Sequence, residues 1–195
     1  MKLLHLDSSA TGESSVTREL SAAIVAQYRA TTPGLEVQYR DLDRNPLPHL
    51  TGARLAKADP AEAEVAEQVL QQFLDADIVV IGAPMYNFAI PSTLKAWLDR
   101  VTVAGRTFRY TAEGPQGLAG GRTVIVASAR GGLHAGSPND FQEPYLRMLF
   151  GFLGIDDVRI VRAEGVGLSP QHRAEAIAAA RAAIEDEVVA LGVAA

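Results

Sequence analysis

The chain has 195 residues, with 18 Lys and Arg against 23 Asp and Glu for a net charge of −5, and 48% of its residues are hydrophobic; these values suit a single folded domain and not a disordered chain. No run of basic residues supplies the electrostatic footprint that a nucleic acid or an anionic membrane requires, so neither partner is expected. Cysteine is absent, which excludes disulfides, thiolate metal ligands and Cys nucleophiles.

The first element is "KLLHLD", residues 2 to 7, a short apolar run with the character of a strand buried on both faces. "MKLLHLD" is too short for the core of a signal peptide, and no later apolar run approaches about 18 residues, so a soluble, cytoplasmic protein is expected. A loop, "SSATGESSVT" (8 to 17), leads into a helical pattern carried by Leu20, Ile24 and Tyr28. "LEVQYRD" (35 to 41) alternates and reads as an edge strand. Val65, Val69, Leu70 and Phe73 mark the next helix, and "DIVVIGA" (77 to 83) a third strand. Leu94, Trp97, Leu98 and Val101 form the stripe of another helix, which suits either the sheet or a second subunit. After an insertion at 102 to 121 come "RTVIVAS" (122 to 128), a helical candidate over 141 to 153, and "DVRIVRA" (157 to 163), again of doubly buried character. Ser169 and Pro170, a cap residue before a proline at the first helical position, open the last helix, striped by Ile177, Ile184, Val188 and Leu191.

Strands alternating with helices predict an α/β fold of three layers, a doubly wound, five-stranded parallel sheet with right-handed crossovers and helices on both faces. One domain over residues 1 to 195 is expected, since no low-complexity linker divides the chain. Ligands of such sheets bind beyond the carboxyl ends of the strands where strand order reverses, which directs attention to the loops after the first, third and fourth strands.

The first loop is rich in hydroxyls: Ser8, Ser9, Thr11, Ser14, Ser15 and Thr17. With the free N–H groups of a helix start they suit a phosphate, a phosphomonoester best, without a Lys or a metal; helix capping alone is the alternative, although one hydroxyl suffices for that. Neither G-x-G-x-x-G after the first strand nor G-x-x-x-x-G-K-[ST] occurs, which removes the dinucleotide and P-loop readings. The third strand ends at Gly82-Ala83-Pro84, without the Asp that a response-regulator receiver would place there. The second loop, "PMYNFAIP", lies between Pro84 and Pro91. The prolines are expected to hold it extended, so that the backbone of residues 85 to 88 lines a crevice. Met85, Tyr86 and Phe88 beside such a rim suit a planar tricycle, and Asn87 adds a donor and an acceptor; a packed loop or a dimer contact is the alternative. The third loop, "SARGGLHAGSPND" (128 to 140), contains Gly131-Gly132, which permit close approach of a ligand or simply a turn. His134 is a candidate partner of a flavin carbonyl or of the reduced anion, or a solvated loop residue.

These three loops, with "GRTFRYTAEGPQGLAGGR" (105 to 122), "FLGI" (152 to 155) and "AEG" (163 to 165), resemble the FMN-dependent NADH azoreductase family of flavodoxin-like quinone reductases, along the whole chain. The resemblance implies a flavodoxin-like sheet of order 2-1-3-4-5 and a homodimer with FMN at the subunit interface. NADH or NADPH would reduce the flavin, which would pass electrons to a quinone or an azo compound in ping-pong order. By position, Ser9, Ser15, Thr17 and the backbone at Val16 would hold the FMN phosphate. Pro84, Met85, Tyr86, Asn87 and Phe88 would line the isoalloxazine, and Ala129, Arg130, Gly131 and Gly132 would meet its pyrimidine side. Phe108, Tyr110 and Phe152 would border the substrate pocket or belong to the core, and His134 would border the same pocket or remain a solvated loop residue. No protein acid or base is implied, and Asn87 would tune the ring edge. Two positions depart from the family pattern: Val16 replaces a usual Gln, and Ala129 a usual Ser. Backbone amides remain at both, while Ser128 would point to the opposite face of its strand.

An FMN electron carrier of flavodoxin type is the competing reading, opposed by the mild net charge and by the 102 to 121 insertion, which suits the wall of a pocket. A flavin-free binding or structural domain is a third. Arg54 and Lys57 lie in a segment that would either reach the 2′-phosphate of NADPH or remain solvated.

Overall fold

In the computed structural model, which describes residues 1–56 and 60–192, the chain alternates strands and helices as the periodicity predicts. The strands are β1 (Lys2–Asp7), β2 (Glu36–Asp41), β3 (Ile78–Pro84), β4 (Phe108–Thr111), β5 (Gly114–Gly117), β6 (Thr123–Ala129) and β7 (Val158–Ala163). The helices are α1 (Val16–Thr31), α2 (Gly52–Leu55), α3 (Pro60–Asp75), α4 (Ser92–Val101), α5 (Gln142–Phe152) and α6 (Pro170–Gly192). Five strands pair in parallel in the order β2-β1-β3-β6-β7, which is 2-1-3-4-5 among the strands of the main sheet. Strand order reverses between β1 and β3.

Successive side chains of each strand point to opposite faces, and the core divides accordingly. Leu4, Leu6, Val79, Ile81, Val124 and Val126 pack with α3, α4 and α5, around Phe73, Trp97 and Phe150. Leu3, Ile78, Val80, Ile125, Ala127 and Val161 pack with α1 and α6. The stripe of α4 faces the sheet, since Leu94, Trp97, Leu98 and Val101 are all buried within one chain. Of the α6 stripe, Ile177 and Ile184 join the second core, and the side chains of Val188 and Leu191 lie outside the described residues.

One expectation needs correction, and one segment gains structure. Val65 is 41% exposed, and Ala66 takes its place in the buried stripe of α3 beside Val69, Leu70 and Phe73. β7 ends the sheet order yet is covered on both faces, since Val158 and Ile160 join the first core and Val161 and Ala163 the second, while Arg159 and Arg162 pair with Asp157 and Glu143 at the sheet margin. The insertion contains an antiparallel hairpin, β4 and β5, that the sequence reading left without structure. This hairpin docks on the end of α5 at a point where no side chain fits, because a Cβ on Gly117 would stand 2.1 Å from the amide nitrogen of Gly154. Gly154 itself has φ +87°, the left-handed region that favours glycine, which explains the glycine in "FLGI".

Candidate functional site

The loops after β1, β3 and β6 meet at the carboxyl end of the sheet. At the first, Ser8 fastens the end of β1 to its neighbour by donating from N and Oγ to the carbonyl of Gly82 (3.2 and 2.7 Å). A 3₁₀ turn over Gly12–Ser14 delivers Ser15, which caps α1 by accepting from the Arg18 amide at 3.3 Å. Ser15 Oγ and Thr17 Oγ1 lie 3.1 Å apart, and Ser9, Ser15, Val16 and Thr17 are all buried around the start of the helix.

Beneath this loop lies a polar network that the sequence reading missed. Asp7, the last residue of β1, accepts from Ser21 Oγ (2.8 Å) and from the Tyr39 hydroxyl (3.0 Å), and His5 Nε2 lies 3.0 Å from the same Ser21 oxygen. Gly82 makes room for it, since a Cβ there would come within 2.5 Å of Asp7 Oδ1. Arg18 grips Asp41 with both terminal nitrogens, at 2.6 and 2.9 Å, and donates to the carbonyl of Ser9 at 2.9 Å. The Arg18 hydrogen bond holds the Asp41 carboxyl down at about 2, and Asp41 in turn raises the guanidinium. Burial, reinforced by Asp7, pushes the Tyr39 phenol up to about 12.

The second loop differs from the expected extended segment. Met85 donates to the carbonyl of Ala129 (2.9 Å), and the chain then reverses through a two-residue turn in which Tyr86 and Ala89 exchange backbone hydrogen bonds of 2.9 and 3.0 Å. Its central residues, Asn87 and Phe88, have φ of 49° and 68°. Two successive left-handed residues make the tight reversal that hairpins favour, normally built from Asn-Gly. The flanking prolines fix only their own φ and bias the residue before each, which leaves the middle of the loop free to reverse. The amides of Asn87 and Phe88 are left without partners among the described residues. Tyr86 joins this loop to the first: its hydroxyl lies 3.2 Å from Ser9 Oγ and accepts from the Ala10 amide at 3.1 Å.

The third loop is zipped onto the segment after β7. Arg130 donates to Ala163, Gly165 to Gly132, and Gly167 to Gly131, all at 3.0 to 3.1 Å. Glu164, the acid of "AEG", accepts from the amides of His134 (2.7 Å) and Ala135 (2.8 Å) through one oxygen. This places the His134 ring edge-on to Phe88 with centroids 5.6 Å apart, so the second and third loops also touch. Arg130 faces inward: its side chain is fully buried, paired with Asp140 (2.8 Å) and Glu143 (2.5 Å). Ser128 is taken by Gln142 (2.9 Å), whose amide nitrogen in turn holds the carbonyls of Ala83 and Pro84.

Phe108, Tyr110 and Phe152 form a separate cluster, with Phe108 4.7 Å from Phe152 and 5.6 Å from Tyr110 between ring centroids. Phe152 ends α5, whereas Gln142 at its start touches the carboxyl end of β3. At about 1.5 Å per residue, roughly 15 Å of helix separates this cluster from the three loops. One chain does not bring the two sets together. Arg54 belongs to α2, half-buried, and Lys57 lies outside the described residues.

The family model for the flavodoxin-like fold, Flavodoxin_2, matches residues 1–188. The chain belongs to this family. It is 71% identical over 187 residues to an FMN-dependent NADH:quinone oxidoreductase of Xanthomonas oryzae, covering 96% of each chain. It is 64% identical over 195 residues to the protein of that name from Stenotrophomonas maltophilia, covering the whole of both. Among solved structures it superposes on an FMN-dependent NADH-azoreductase from Bacillus anthracis in complex with FMN, with TM-score 0.87, 28% identity, and 98% and 99% of the two chains covered. A second azoreductase from Bacillus anthracis gives TM-score 0.84 at 31% identity over 94% of this chain and 96% of the other.

Proposed function

We infer that this chain is an FMN-dependent NADH:quinone oxidoreductase that also accepts azo compounds. The observation that carries the reading is the convergence of three loops at the strand-order reversal: a hydroxyl-lined helix start beside a rim with free amides. The residues fit the cofactor, because Arg18 Nε is buried beside the first loop without a hydrogen-bond partner among the described residues, a donor suited to an anion. Bound FMN supplies the redox chemistry, accepting two electrons from NADH or NADPH and then donating them to a quinone or an azo compound.

The chain's own part is binding, orientation and electrostatics. Ser9, Ser15, Thr17 and the amide of Val16 hold the phosphate. Met85 to Phe88, following Pro84, line the ring, where the free amides of Asn87 and Phe88 are available as donors to its charged edge and Asn87 tunes that edge. Ala129 to Gly132 meet the pyrimidine side through backbone, since the Arg130 side chain is occupied beneath the loop. No side chain is assigned as an acid or base; His134 borders the substrate space.

The working unit is a homodimer of domains spanning residues 1 to 195, with FMN at the interface. In support, α5 and the residue before it present an apolar ridge: Phe141 and Met148 are 61% and 58% exposed, and Tyr145, Leu149 and Phe152 are half-buried, spaced by threes and fours. Tyr110 is 75% exposed. A second copy covers such a ridge and supplies the distant aromatic cluster, Phe108, Tyr110 and Phe152, to the partner's loops. The enzyme acts in the cytoplasm, where its reductant is made; no helix among the described residues is long and apolar enough to cross a membrane.

The test is the visible spectrum of the purified protein, then NADH and menadione added with no protein partner. A flavin spectrum that bleaches with NADH and steady turnover with menadione support the reading. A flavoprotein inert to NADH identifies an electron carrier instead, and a colourless protein that stays apo with added FMN overturns the cofactor itself.

A further inference from the structure

Arg18 stands in the first turn of α1, where a cation opposes the positive end of the helix dipole. Helix stability therefore does not account for it. A guanidinium has five N–H donors in one plane, and four of these are used. One terminal nitrogen serves Asp41 (2.6 Å) and the Tyr39 hydroxyl (3.2 Å). The other serves Asp41 (2.9 Å) and the Ser9 carbonyl (2.9 Å). Only Nε–H remains, buried and unpartnered. Planarity fixes its direction: the nitrogen that reaches Ser9 shares an edge with Nε, so the free donor lies on the side of the first loop.

Ser9 is held from two directions. Arg18 fixes its carbonyl from below, and Tyr86, from the second loop, meets its hydroxyl at 3.2 Å. Asp41 at the end of β2 anchors Arg18, and Asp41 accepts in addition from the amides of Asp43 and Arg44 at 3.0 and 3.1 Å, so its own position is set by the turn after β2. The chain of support runs from an edge strand, through a carboxylate and a guanidinium, to the backbone of the loop that receives the phosphate.

We propose that Arg18 is a positioning residue that sets the preference of this protein for phosphorylated flavin over riboflavin, by fixing the main chain at Ser9 and by offering its last free donor on the phosphate side. The proposal rests on the FMN reading above. Its own contacts stop short of Met85 to Phe88 and of Gly131-Gly132; the one link onward is from Ser9 to the Tyr86 hydroxyl, so the effect on the phosphate side is expected to exceed that on the ring. Lysine is no substitute: a single ammonium reaches Asp41 or Ser9 but lacks the planar fork that joins them.

The experiment titrates apoprotein with FMN and, separately, with riboflavin, following the quenching of flavin fluorescence, for the wild type, Arg18→Ala and Arg18→Lys, with melting temperatures measured alongside. Loss of a charge-assisted contact predicts an FMN dissociation constant raised about tenfold or more in both variants. Riboflavin affinity stays within about twofold. Arg18→Lys, which keeps a cation for Asp41, is expected to melt near the wild type, so it decides the matter if Arg18→Ala does not fold. An unchanged ratio of FMN to riboflavin affinity overturns the proposal, whether both ligands weaken together or neither does. Wild-type protein that binds riboflavin as tightly as FMN also overturns it, and wild-type protein that binds neither flavin overturns the FMN reading itself.

Discussion

The two ends of the sheet differ in how much of their surface is tied by polar contacts. At the carboxyl end, buried polar groups stand in connected networks: Asp7, Ser21, Tyr39, Arg18 and Asp41 under the first loop, and Arg130, Asp140, Glu143, Glu164 and Gln142 under the third. At the other end, the buried Thr107 bonds the carbonyl of Val101 and the buried Arg100 bonds Glu62, while Phe108 packs edge-on or tilted against Tyr110 and Phe152 and the outer face of α5 continues the apolar surface. A satisfied polar network fixes one geometry, because each misplaced partner would leave a buried group unpaired. An apolar surface fixes little by itself and gains most by being covered. Although Arg18 Nε and the amides of Asn87 and Phe88 have no partner among the described residues, the first end is held by contacts within the chain, whereas the second, with the outer face of α5, leaves Tyr110, Phe141 and Met148 exposed.

The largest expected effect tests the polar end. Arg130→Ala leaves Asp140 in the interior without its cation, while Glu143 keeps Arg162, and about 3 kcal/mol of stability is expected to be lost, measured by urea denaturation. A loss under about 1 kcal/mol would mean that this network does not fix the third loop. Next comes acid. Asp41 is held at about 2, against 3.8 unperturbed, so its ion pair contributes fully above the unperturbed value, and that contribution disappears as pH falls from about 4 through 2. Asp41→Asn should flatten the stability profile over that interval, and an identical profile would deny the pairing.

Phe88→Gly sharpens the contrast between strain and support. Phenylalanine at φ 68° costs about 1–2 kcal/mol relative to glycine, partly offset by the greater freedom of glycine when unfolded and by loss of the contact with His134. Thermal stability is expected to hold or rise by a few degrees, while the rate of flavin reduction by NADH falls. A clear loss of stability would show that the turn is unstrained. The smallest effect belongs to the apolar end: Tyr110→Ala should change monomer stability by less than about 0.5 kcal/mol, because the ring is mostly exposed. In sedimentation it should weaken self-association, and a variant that is as dimeric as the wild type and unchanged in its KM for menadione would remove Tyr110 from the interface.

Much of this arrangement is legible in the sequence, and the exceptions share a cause. Runs such as "DIVVIGA" and "RTVIVAS" declare buried strands, and the threefold and fourfold spacing of Leu94, Trp97, Leu98 and Val101 declares a helix face. The hairpin over 108 to 117 was missed because its two strands are four residues each, and "GPQG" has neither β-branched nor aromatic side chains. Pro84 and Pro91 suggest an extended segment, yet the chain turns tightly at Asn87 and Phe88; only the exchange of hydrogen bonds between Tyr86 and Ala89, and the packing of Phe88 on His134, select the left-handed conformation. Arg18 and Glu164 look like ordinary surface charges in a one-dimensional reading. Nothing in their spacing announces that Asp41, 23 positions away from Arg18, will be its partner.

Residue order by itself determined the alternation of strand and helix, the burial of their apolar faces and the place where hydroxyls and aromatics gather, because these depend on periodicities of two and 3.6 that neighbours along the chain impose. The tertiary structure alone decided which carboxylate meets which guanidinium, how the second loop reverses, and that Phe108, Tyr110 and Phe152 lie a helix length from the loops. Those outcomes depend on distances between segments far apart in the chain, where the sheet order and the lengths of the helices, not local preference, set what touches what.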